Sequence, residues 1–138
     1  MAKISRDDIK KRGLIRFIKS FGYSIEGLKY AYKYEQSMLI HVIATICVLC
    51  ANIFFQVSGI EWLITLIAIG MVLSAELINS AIEAVVDLET NRINPLAKLA
   101  KDTASSATLI FSFTSLIIGL IIFIPKIGSA LWNQVLLV

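Results

Sequence analysis

Three apolar blocks limit what this chain can fold into more than any other feature. Met38 to Phe55 and Ala107 to Ile124 contain no charged residue, and Ile60 to Ala75 contains only Glu61, near its edge. Each block approaches or meets the roughly 18 to 20 apolar residues that cross a hydrocarbon core about 30 Å thick. The pattern predicts an all-α membrane protein with spans over about residues 37–56, 60–87 and 98–125, preceded by an amphipathic interfacial segment over 1–36. With 138 residues, 57% of them hydrophobic, the chain is expected to be a single integral membrane domain, 1–138, too short for a soluble catalytic domain plus an anchor. About 35 polar and amphipathic residues precede the first block, so no cleaved signal peptide is expected.

Charge sets the expected orientation. Nine of the thirteen Lys and Arg residues precede the first span, and Arg92, Lys98 and Lys101 lie between the second and third, leaving only Lys126 beyond. The positive-inside rule then puts the N-terminus and the second loop in the cytosol and the C-terminus outside. A net charge of +3 fits attraction to lipid headgroups and nucleotide phosphates, and no nucleic-acid motif is present. In the N-terminal segment Leu14, Phe17, Ile18 and Phe21 recur at i, i+3, i+4, i+7 opposite Arg12, Arg16 and Lys19, as in a helix lying in the interface. Such a helix can be a bare anchor or can also line a site at headgroup level. Gly22 allows a bend before the second stretch, Ile25, Leu28 and Tyr32. Cys47 and Cys50 lie one turn apart inside an apolar span and are expected to be small buried apolar residues, not a redox pair.

The second span carries a polar stripe past its apolar end. At about 100° per residue Glu76, Asn79, Ser80, Glu83 and Asp87 fall near one line, away from Leu77, Ile78, Ile82, Val85 and Val86. Glu76 is placed about 7 Å inside the cytosolic boundary and Glu83 near the headgroups. Ionisable groups at membrane depth cost at least about 2.5 kcal/mol each, so they face protein, water or a ligand. Two readings stay open: the acids pair with Lys98 and Lys101 to join helices, or the surplus negative charge holds a cation. With oxygen ligands and no Cys or His cluster, that cation is magnesium. At the start of the third span Lys98, Lys101, Asp102, Ser105 and Ser112 also share a face, and Glu35 sits just before the first span at the same level. No P-loop or dinucleotide glycine motif occurs. The residues by themselves describe a metal-dependent membrane enzyme acting on a lipid headgroup. A small ion-conducting bundle or helper protein competes with that reading, though the acids cluster at one end and the first span offers only His41, Thr45 and Asn52 as polar groups.

The run from Glu76 through Asn79 and Glu83 to Asp87, followed by Ala100-Lys101-Asp102 and a Ser/Ala-rich start to the third span, resembles the prokaryotic diacylglycerol kinase and undecaprenol kinase family. Gly22-Tyr23-Ser24, Gly27-Leu28-Lys29 and the order of spans extend the resemblance over about residues 14 to 126. It implies an ATP- and magnesium-dependent lipid kinase of the bacterial plasma membrane, a homotrimer with composite sites at its interfaces. It also implies Glu76 as the general base on the lipid hydroxyl, and Glu83 and Glu35 as magnesium ligands. Arg16, Tyr23, Lys101 and Asp102 match nucleotide contacts, and Ser105 matches a substrate-side residue, with Arg16 and Glu76 also at the substrate. Asn79 and Asp87 complete the polar face. The stretches Asn94 to Asp102 and Ile121 to Ile127 are similar to the Gram-positive undecaprenol branch, with diacylglycerol the alternative acceptor. The loop Asn91-Arg92-Ile93-Asn94 departs from the Tyr-His often found at its last two positions, and His41 replaces what is often another polar residue, where a hydrogen-bonded interfacial side chain is expected.

The orientation is checked by thiol labelling of intact cells, after replacing Cys47 and Cys50. A cysteine at Ser5 is expected to be shielded from an impermeant reagent and one at Gln134 labelled. The reverse pattern overturns the topology and cytosolic access of a nucleotide.

Overall fold

In hydrocarbon every backbone N–H and C=O has to be satisfied within its own segment, so uninterrupted apolar blocks become helices. The computed structural model describes residues 13–90 and 92–135, and among these it contains four α-helices and no strand: α1 Leu14–Tyr34, α2 Gln36–Phe54, α3 Gly59–Glu89 and α4 Pro95–Val135. Helices α2, α3 and the stretch of α4 from Pro95 to Ala130 are long and apolar enough to cross a membrane. The first twelve residues of the amphipathic segment and Asn91 lie outside the described residues.

The chain divides between Tyr34 and Glu35 into an N-terminal unit and a unit holding α2 to α4. Within the first, α1 runs through Gly22 without a break, so the bend that the glycine allowed is not a helix boundary. Its apolar stripe is present as expected, with the Phe17 and Phe21 rings edge to face at 5.1 Å between centroids.

In the second unit α3 is the central helix, with α2 and α4 packed antiparallel to it. Thr65, Ala68, Val72, Ala75, Glu76, Asn79 and Ser80 form its buried side. Small side chains there let backbones approach closely, which is how helices associate where lipid is as apolar as leucine. The α3–α4 register is tied at three depths. Lys126 Nζ meets Glu61 Oε1 at 3.2 Å near one end, Ser115 Oγ donates to the Ala68 carbonyl at 3.5 Å midway, and Lys101 Nζ donates to Asp87 Oδ1 at 2.6 Å near the other end. Between α2 and α3, Asn52, fully buried, donates from Nδ2 to Thr65 Oγ1 at 2.7 Å. Interhelical polar bonds of this kind contribute on the order of 1 kcal/mol.

Two expectations change here. Cys47 and Cys50 are exposed, not buried, because α2 buries only a narrow seam against α3 and both cysteines project from its outer side. The third span, expected to end near residue 125, continues as helix past Pro125 to Val135. Proline removes one backbone donor, but its fixed φ near −65° is helical, so the chain can propagate through it.

The ends of α2 and α3 are closed by recognisable devices. Ser58 caps α3 in a capping box, accepting from Glu61 N–H at 3.3 Å while Glu61 Oε2 accepts from Ser58 N–H at 2.7 Å. Helix α2 ends in a Schellman motif: Val57 N–H donates to the Asn52 carbonyl at 3.1 Å and Gln56 N–H to the Ile53 carbonyl at 3.2 Å. That motif needs a left-handed residue, and Gln56 takes it at φ 47°. A side chain in that region carries a steric cost that glycine avoids. Gln56→Gly is therefore expected to stabilise the protein by about 0.5–1 kcal/mol, read as resistance to unfolding in detergent. A loss of stability overturns this account of the turn.

Candidate active site

Helix α3, at 31 residues, is about 47 Å long, so one end has to project beyond a core about 30 Å thick. Its polar stripe occupies that end and grades from buried to open. Glu76 is 3% exposed, Asn79 and Ser80 are each 8% exposed, Glu83 is half-buried, and Asp87 is exposed. The carboxylate placed deepest is thus the one most completely enclosed.

The enclosure comes from the first turns of α2. Glu35, in extended conformation (φ −99°, ψ 113°), is the N-cap residue, so helical geometry starts at Gln36 and puts Ser37 and His41 one turn apart on one face. That face meets Glu76. Ser37 Oγ donates to Glu76 Oε1, and His41 Nε2 lies 3.9 Å from Glu76 Oε2. Both α2 residues are the ones that sequence reasoning missed as partners of Glu76. Nothing in the sequence of α2 by itself marks that side as the one turned to α3. His41 meets Glu76 at a distance longer than the hydrogen bond expected of an interfacial histidine.

One turn further along α3, Asn79 Nδ2 donates to Glu83 Oε1 at 3.2 Å, which turns the Asn79 carbonyl oxygen away. That oxygen and Ser80 Oγ are buried without a hydrogen-bond partner, as are Thr108 Oγ1 and Ser112 Oγ on α4. Orphaned acceptors beside a carboxylate are unusual, because a buried polar atom left unpaired costs about 1–3 kcal/mol. At the open end Lys101 pairs with Asp87, and Lys98 pairs with Asp102 one turn away on its own helix. The pairing of acids with these lysines is therefore real for Asp87, while Glu76 and Glu83 have other partners. Ser105 is exposed on α4. In the loop, Asn94 Oδ1 accepts from Leu96 N–H at 2.9 Å and so caps α4, with Pro95 at the first helical position. The departure at Asn94 thus has a local structural role. Arg16 and Tyr23 lie on α1, in the other unit.

Among the described residues no three His, Cys, Asp or Glu side chains gather into a metal cluster. The donor set nevertheless fits magnesium, which takes one or two carboxylates and completes its shell with water and phosphate oxygens. Glu83 supplies a half-buried carboxylate, held through Oε1 by Asn79 Nδ2, and Asn79 Oδ1 remains a buried acceptor without a partner. Glu35 is half-buried at the start of α2 and makes no side-chain cap hydrogen bond. Towards the middle of the bundle a cleft of about 250 Å³ opens between α2, α3 and α4, lined by His41, Thr45, Thr65, Val72, Ser112 and Gly119 among others.

A family model described as prokaryotic diacylglycerol kinase matches residues 22–123. The chain is similar to an undecaprenol kinase of Bacillus subtilis, 43% identical over 114 residues that make up 83% of this chain and 93% of the relative. It is also similar to a diacylglycerol kinase of Helicobacter pylori, 38% identical over 73% of this chain and 79% of the relative, and to one of Escherichia coli, 34% identical over 71% and 80%.

Removing Ser37's hydroxyl leaves Glu76 Oε1 buried without its donor. Ser37→Ala is expected to destabilise the protein by about 1–3 kcal/mol. Asp87→Asn breaks an exposed pair and is expected to leave unfolding nearly unchanged. Equal effects of the two substitutions in a detergent unfolding series overturn this ranking.

Proposed function

The chain belongs to the prokaryotic diacylglycerol kinase family, and from that premise we propose that it phosphorylates undecaprenol with ATP and magnesium at the cytosolic face of the bacterial plasma membrane. As a lipid kinase it passes a phosphoryl group to an alcohol. The observation that carries the mechanistic reading is Glu76, a carboxylate 3% exposed at the level where α3 turns from apolar to polar. Similarity to the Bacillus subtilis undecaprenol kinase over nearly all of that protein favours the polyprenol over diacylglycerol as acceptor.

Glu76 acts as the general base. Ser37 fixes its Oε1, leaving Oε2 to take the proton of the lipid hydroxyl. The hydroxyl oxygen attacks the γ-phosphorus in line, the bond from that phosphorus to the β–γ bridging oxygen breaks, and ADP leaves. Glu83 and Glu35 hold magnesium, with Asn79 orienting the Glu83 carboxylate. Magnesium, when bound, neutralises charge on the phosphates. Lys101, Asp102, Arg16 and Tyr23 bind the nucleotide, Ser105 and Arg16 lie on the substrate side, and Asp87 holds Lys101 in place. The working unit in this reading is a homotrimer with its N-termini in the cytosol.

The deciding assay gives purified protein in mixed micelles ATP, magnesium and either undecaprenol or diacylglycerol. Phosphorylation of the polyprenol at the higher kcat/KM is expected; a preference for diacylglycerol reverses the acceptor, and transfer to neither removes the kinase reading. Glu76→Gln keeps size but removes basicity, so kcat is expected to fall about a hundredfold or more with ATP affinity little changed. Near-normal turnover, or loss only through weaker ATP binding, excludes Glu76 as the base. Glu83→Gln and Glu35→Gln are each expected to weaken magnesium-dependent ATP binding in a direct binding measurement, with the protein still inserted. Unchanged binding in both removes the ligand assignment.

A further inference from the structure

Glu76 offers two oxygens, and the structure treats them differently. Oε1 is taken by Ser37, whereas Oε2 faces His41 Nε2 across 3.9 Å. That gap is too wide for a direct hydrogen bond between the two side chains. A single oxygen atom about 2 Å to one side of the line between them is about 2.8 Å from both, which is ordinary hydrogen-bond distance. Glu76 as a carboxylate only accepts, and a histidine carrying its proton on Nε2 donates. An atom that suits both neighbours must donate to one and accept from the other. A hydroxyl does both.

The surroundings of the gap select the kind of hydroxyl. The His41 side chain is 19% exposed and that of Glu76 is 4% exposed, so the position is enclosed on the Glu76 side and open on the His41 side. His41 also lines the cleft of about 250 Å³, whose other walls are mostly apolar, among them Ala44, Val48, Val72 and Leu116. From His41 to Val48 on α2, and from Val72 back to Thr65 on α3, the cleft extends about 10 Å along the helices. A cavity of about 150 Å³ holds a benzene-sized hydrocarbon, so this space takes about ten carbons.

We propose that His41 Nε2 and Glu76 Oε2 together seat the acceptor hydroxyl of a lipid alcohol, whose first carbons enter the apolar cleft below. This rests on the lipid kinase reading above and adds a substrate-contacting residue to it. His41 donates to the hydroxyl oxygen while the hydroxyl donates to Glu76. When the oxygen–hydrogen bond breaks, its proton goes to Glu76 Oε2. The electron pair left on oxygen forms the bond to the γ-phosphorus of the nucleoside triphosphate, and the nucleoside diphosphate leaves with the electrons of the broken phosphorus–oxygen bond. His41 keeps its proton throughout and stabilises charge as it develops on the attacking oxygen.

The test compares wild type, His41→Leu and His41→Gln as full chains in mixed micelles, with undecaprenol and ATP each varied separately. His41→Leu removes the donor, and kcat/KM for the lipid alcohol is expected to fall about tenfold or more. The KM for ATP is expected to stay within about twofold. His41→Gln restores an N–H donor and is expected to recover a clear part of the loss, which a misassembled protein does not do. The proposal is overturned if His41→Leu stays within about twofold of wild type, if Leu and Gln variants lose activity equally, or if the loss appears in the KM for ATP. Failure of the underlying reading looks different: wild type itself then phosphorylates no lipid alcohol.

Discussion

A carboxylate enclosed on the buried side of a helix apolar enough to cross a membrane is the constraint around which the rest of this structure is arranged. Exposed to lipid, Glu76 costs several kcal/mol, and enclosed without donors it costs about as much. The protein meets the cost with the first two turns of α2, which bring Ser37 against one carboxylate oxygen and His41 near the other. That contact requires α2 to begin at Gln36 and to lie against α3 at this depth. The Schellman turn at Gln56 and the Asn52–Thr65 hydrogen bond set the same register from the opposite end. The polar pairs of α3 with α4 then hold α4 alongside.

The architecture was legible because it follows from length and hydropathy. A block of apolar residues in lipid has no alternative to helix, and the three blocks became α2, α3 and α4. The exceptions were places where local chemistry permits more than one outcome. Pro125 can end a helix or sit inside one, and Gly22 can bend a helix or pass through it. The cysteines were misjudged because burial in a membrane protein depends on which side of a helix meets protein, and apolar residues line both sides.

The site was legible along one helix and obscure between helices. The face shared by Glu76, Asn79, Glu83 and Asp87 follows from a 100° repeat and needs no partner to be seen. The Asp87–Lys101 pair was also within reach, since it joins two helices linked by a short loop. Ser37 and His41 were not, because no repeat within α2 says which of its sides turns to α3. What identifies them is the demand made by Glu76 for donors, and that becomes visible only when the helices are packed.

The continuity of α3 has a mechanical consequence. Glu76 and Glu83 stand two turns apart, about 10 Å, on one unbroken rod that is longer than the bilayer core is thick. When a membrane thickens or thins, a helix of this kind responds by tilting or by shifting its flanks against the headgroups. Such adjustment changes the depth of both carboxylates together and leaves the interval between them untouched. The rod serves as a ruler, carrying a fixed distance across a boundary whose own position varies with lipid composition.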